Sequence, residues 1–247
     1  MKLCTSTLSI ALLPLALLAN PLFPNSVESN DLDFILPHDP GACWSIDYNG
    51  VERTEMYDPR RNSLFVDDAL RFLISFPDQQ MRINVHPAVG DPEMRASQIA
   101  ASISRLPAQM RNGVAYVNIL DGNGSAWEES AGGFFTVYDQ LMERRLAEHD
   151  LDETVFHEAA HLFLEPVIGR DPDWSSNQRA DGAFITEYAA ENPTKEDLAE
   201  SALFAWTMLH HPGRLPPHVE SAVRDIMPNR LDYLGNILAD LVRPSCY

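Results

Sequence analysis

The chain has 247 residues, 45% of them hydrophobic, and its 36 acidic against 18 basic side chains give a formal net charge of −18. That length buries a substantial core and reads as one catalytic unit rather than a string of domains. A surface of this sign repels polyanions, which excludes nucleic acid and anionic lipid as expected partners and leaves solubility as its plain meaning.

Met1-Lys2 leads into an apolar run over residues 8–19, interrupted by Ser9. The run has the length of a signal-peptide core and is short for a bilayer span, so residues 1–24 are expected to be a leader, with an uncleaved anchor as the alternative. The chain is then secreted or periplasmic, with no membrane contact beyond the leader. Cys43 and Cys246 remain after its removal. In an oxidising compartment they are natural disulfide partners, two unpaired thiols being the other reading; a cysteine-based metal site is excluded.

Residues 27–50 are rich in Asp, Asn and Pro and read as irregular, with Trp44 as an anchor. The spacing of apolar residues over 67–76 (DDALRFLISF) predicts a helix ending before Pro77, and the alternation over 81–85 predicts a short strand. A second helix is expected over 93–105, followed by a turn at Leu106-Pro107. Residues 113–120 and 133–138 are rich in β-branched and aromatic side chains and read as strands, with Asp121-Gly122-Asn123-Gly124 as turn chemistry between them. From Gln140 the pattern is mainly helical. The expected class is therefore α+β. Residues 25–90 are expected as an N-terminal extension with a short helix and strand, and 91–247 as a catalytic domain with a small sheet and a helical C-terminal lobe.

His157-Glu158-Ala159-Ala160-His161 lies within an apolar helical pattern that Asp152 is expected to cap and that is expected to stop near Pro166. Histidines four residues apart share a helix face and can bind one zinc ion, while Glu158 projects beside the metal's open position as a general base. A third ligand is expected downstream, where Glu196 and Glu200 share a face at the head of an apolar helix. Glu196 is assigned to the metal and Glu200 to orienting a ligand imidazole, and the reverse assignment stays open because i,i+4 carboxylates are interchangeable in sequence. His38, His86, His149, His210, His211 and His218 lack ligand spacing, and nothing selects Arg230 or Tyr233 above surface roles.

HEAAH, then Trp174, then Phe184-Ile185-Thr186-Glu187-Tyr188-Ala189-Ala190-Glu191-Asn192-Pro193, then Glu196-Asp197-Leu198-Ala199-Glu200, resembles the gluzincin family of the anthrax lethal factor catalytic domain and the bacterial Pro-Pro endopeptidases. The similarity spans roughly residues 95–235. It implies a zincin-like fold and a zinc-dependent endopeptidase acting on a peptide or protein substrate through a zinc-activated water. It also implies that the Tyr188 hydroxyl stabilises the tetrahedral intermediate. Substrate is expected along a sheet edge at Ala131, Gly132 and Gly133, where glycines permit close backbone approach, a simple bulged hairpin being the other reading. The competing reading is a catalytically silent secreted zinc-binding protein that serves partner binding. Cleavage preference and oligomeric state are not legible.

Overall fold

The computed structural model of the chain describes residues 21–27, 31–129 and 131–246. The apolar run at 8–19 lies outside the described residues, and no helix among those described is long and apolar enough to cross a membrane.

Strands β1 (Ser45–Asp58), β2 (Ser63–Ser75) and β3 (Gln80–Val85) lead into helices α1 (Pro92–Ser104) and α2 (Ala108–Gly113). Then come β4 (Tyr116–Leu120), β5 (Trp127–Glu129) and β6 (Phe134–Tyr138). The remainder of the described chain is helical: α3 (Asp139–Glu148), α4 (Leu151–Ile168), α5 (Pro172–Asp181), α6 (Glu187–Glu191), α7 (Asp197–His210), α8 (Pro217–Ile226) and α9 (Pro228–Ala239). All six strands join one sheet in the order β1-β2-β3-β4-β6-β5. It is mixed: β3–β4 and β4–β6 pair parallel, and the other neighbours antiparallel. The class is α+β.

Alternation along the strands divides the core between the two faces. Ile83, Val117, Ile119, Phe135 and Val137 join Ile99 and Ile103 of α1 and Val155 and Phe156 of α4 in one buried cluster. Leu120 and Tyr138, each one residue out of phase, meet Met56, Ala69 and Leu141 in a second cluster. A fully buried Val or Phe side chain contributes about 1.5–3 kcal/mol, so the α4 segment around the histidines is held chiefly by Val155 and Phe156, with Ala159 and Ala160 packed beside them, all at 0% exposure.

Three sequence expectations change. The expected helix over 67–76 is instead strand as far as Ser75: Phe72 pairs with Tyr48 and Ile83, and Ile74 with Ile46 and Met81. An interior strand carries apolar residues on both faces, which erases the alternation and leaves a spacing that mimics a helix. The irregular segment ends at Cys43-Trp44, because β1 begins at Ser45, and β1–β3 continue the same sheet as β4–β6. Asp152 does not cap α4. It lies inside the first turn with its carboxylate 2.9 Å from Arg105. Helix α4 does stop near Pro166, which falls in its last turn, and it ends at Ile168, where Gly169 N–H bonds to Glu165 O at 2.8 Å.

Cys43 and Cys246 form a disulfide with Cα atoms 4.5 Å apart, joining the entry to β1 to the tail beyond α9 across 203 residues of sequence. Residues 22–24, which fall within the expected leader, lie in a packed segment. Leu22 N–H donates to Ile185 O, and Phe23 O and Pro24 O accept from the N–H groups of Glu187 and Tyr188.

Candidate metal centre

Helix α4 presents His157 and His161 one turn apart, and their Nε2 atoms converge to 3.2 Å. Helix α7 packs against α4 and brings Glu196 to its own N-terminal end, where Glu196 Oε2 lies 3.1 Å from His161 Nε2 and 3.4 Å from His157 Nε2. All three residues are buried. Tetrahedral ligands at zinc bond lengths of about 2.0–2.1 Å sit about 3.3–3.4 Å apart, so a triangle with edges of 3.1–3.4 Å fits such an ion. Two imidazoles and a carboxylate are also the donor chemistry such an ion takes.

Glu200, one turn along α7, does not enter this triangle. Its Oε1 lies 3.4 Å from the other nitrogen of the His157 ring, Nδ1, an ion-pair contact that falls outside hydrogen-bond geometry. The two glutamates thus address opposite ends of one imidazole, as a ligand and its orienting partner do. His161 has a counterpart that spacing alone would have revealed: Glu165, four residues on, has Oε2 3.3 Å from His161 Nδ1.

The charges reinforce one another. Burial lowers the His161 pKa, but hydrogen bonds to Glu165 and Glu196 and the charge of Glu158 outweigh it and push the imidazole up to about 10. Burial raises Glu196, yet the two histidines hold it well below the usual carboxylate range. Glu158 is raised, chiefly by burial, with Glu128 and Glu196 adding to it against His157 and His161.

Glu158 and Tyr188 line the same cleft of about 260 Å³, together with His157, Glu200, Thr154 and Ala126. Burial and the nearby negative charge of Glu196 raise the Tyr188 pKa. The ring is 38% exposed and so reachable from solvent.

The substrate-edge residues fall elsewhere. Ala131, Gly132 and Gly133 form the turn between β5 and β6, with Gly133 at φ 65°, and β6 itself is interior, flanked by β4 and β5. The glycines turn the chain; the strand at the sheet margin is β5. Beside it Lys195 lies 4.0 Å from the ring centroid of Trp127 and 3.3 Å from Glu128 Oε1. Sequence reading also passed over Ser26, whose contacts with Glu200 join two segments 174 residues apart. No local pattern signals such a pair.

Compared with family models, curated proteins and solved structures, the chain finds no match.

Proposed function

We propose that this chain is a zinc-dependent endopeptidase of zincin-like architecture, similar in its motifs to the lethal factor type of gluzincin and active in an oxidising compartment. The observation that carries this reading is the convergence of His157 Nε2, His161 Nε2 and Glu196 Oε2 within one triangle, next to a buried glutamate in an open cleft. His157, His161 and Glu196 hold the metal, and Glu200 and Glu165 fix the orientation of the two rings. Zinc at this place supplies Lewis acidity, which acidifies water and polarises a peptide carbonyl.

Glu158 accepts a proton from the attacking water on its carboxylate and returns it to the nitrogen of the leaving amine. Its buried setting suits that exchange, because a raised pKa brings donor and acceptor states closer to neutral pH. The Tyr188 hydroxyl donates a hydrogen bond to the oxyanion that forms on the substrate. The substrate backbone lies along the outer edge of β5, where strand addition uses main-chain hydrogen bonds and leaves side chains to select pockets.

The test is a diverse peptide library incubated with the protein, with and without a chelator, and read by mass spectrometry. Chelator-sensitive cuts are expected. Glu158→Gln is expected to retain zinc and lose about 10²–10⁴-fold in turnover. Undiminished cutting by that variant removes this mechanism.

A further inference from the structure

Residues 22–27 approach the site from outside the motif that defines it. The segment runs beside residues 185–188: Leu22 N–H donates to Ile185 O at 3.0 Å, Glu187 N–H to Phe23 O at 2.9 Å and Tyr188 N–H to Pro24 O at 2.9 Å. Phe23 and Thr186 form a parallel bridge, and the Phe23 ring stacks on Phe204 of α7 with centroids 6.1 Å apart. Asn25 Oδ1 accepts from Val27 N–H at 3.1 Å and shapes the turn that follows. Asn25 and Val27 then line the cleft with His157, Glu158 and Tyr188.

Between them lies Ser26, at 0% exposure. Its backbone N–H donates to Glu200 Oε2 at 2.7 Å, and its hydroxyl donates to Glu200 Oε1 at 2.9 Å. Both oxygens of Glu200 are therefore gripped by one residue, and Oε1 is the atom 3.4 Å from His157 Nδ1. A carboxylate on the end of a flexible side chain needs such a grip to hold a ring in place, since each free torsion it keeps blurs the position of the imidazole. The same segment also accepts the backbone N–H of Tyr188.

We propose that residues 22–27 are a strap that completes the metal centre, with Ser26 a positioning residue that holds His157 through Glu200. This rests on the reading of His157, His161 and Glu196 as a metal site. The strap makes the competence of the centre depend on a segment some 130 residues upstream of its helix, by sequence numbering.

The test titrates the full chain with cobalt(II), follows the visible absorption of the bound ion, and obtains zinc affinity by competition. Ser26→Ala, Glu200→Gln, the double variant and His161→Ala are compared with the wild type, and thermal melting in chelator reads the fold of each separately. Ser26→Ala is expected to weaken the metal about 10-fold and to alter the cobalt spectrum, since losing a partner of a ligand costs about 10–100-fold. The double variant is expected to bind within about 2-fold of Glu200→Gln alone, because both changes break one relay. Wild-type affinity in Ser26→Ala, or losses that multiply in the double variant, overturns the proposal. If Ser26→Ala does not fold, Phe23→Ala unseats the strap at a distance and is expected to weaken the metal as well; unchanged affinity there overturns it equally. Wild type that binds no more cobalt than His161→Ala overturns the metal reading itself, and the strap falls with it.

Discussion

Glu196 and Asp197 are neighbours at the head of α7, both buried, and they enter two polar clusters of opposite character. Asp197 belongs to a closed one. Its Oδ1 bonds to Arg230 Nη1 and accepts from Ser201 Oγ, and its Oδ2 accepts from Gln178 Nε2 at 3.0 Å. Arg230, at 0% exposure, also donates from Nε to Asp181 Oδ2 at 2.9 Å and from Nη2 to Ala183 O. Each charge there has an opposite charge from the protein itself. Glu196 belongs to an open cluster, where two imidazole nitrogens and a carboxylate oxygen crowd one point beside the cleft that His157 lines, with Lys195 3.8 Å from the other carboxylate oxygen. Buried charge is tolerated when it is paired or binds a metal, so the closed cluster reads as architecture, while the open one is the cation site only under the proposed function.

Substitutions on each side break or sharpen this contrast. The largest effect is expected from Arg230→Ala, which strands Asp181 and Asp197 without their shared cation: about 3–5 kcal/mol of stability, read as a lower urea midpoint. The open cluster should answer differently. Tyr188→Phe removes a hydroxyl beside it without touching the core and is expected to lower turnover about 10²–10³-fold with unchanged zinc content and melting temperature.

A third buried group refines the rule. Glu153 of α4 accepts from Phe34 N–H at 2.6 Å through Oε1, while its Oε2 has no hydrogen-bond partner, and burial is the chief cause that pushes its pKa up to about 9. The folded state therefore holds a proton that the unfolded chain releases above 4.5, and stability present below that value falls as pH rises towards about 9. Glu153→Gln is expected to flatten this decline, by at most about 1.4 kcal/mol per pH unit, in denaturant melts across that range. The smallest effect is expected on the outer hairpin: Leu64→Ser, at a position 57% exposed on β2, should change stability by no more than about 0.5 kcal/mol.

The α4 site was legible because its information is local. Histidines four apart fall on one helix face whatever the rest of the chain does, and Glu196 and Glu200 follow the same period. The disulfide was legible because, of the three cysteines, two lie outside the expected leader and leave one pairing. What escaped was long-range. Residues 67–76 look helical until β1 and β3 flank them, and Ala131–Gly133 look like an edge until β5 turns back along β6. Arg230 looks like any helix-surface arginine until α9 folds it against Asp181 and Asp197. Ser26 shows nothing of its role until residues 22–27 lie beside 185–188.

The most direct measurement is metal content. Wild type and His161→Ala, each stripped with chelator, equilibrated with zinc and dialysed, are analysed for bound metal per chain. About one zinc in the wild type and essentially none in the variant is the expected result. Equal zinc in both, or none in either, contradicts the claim that these three side chains grip a cation.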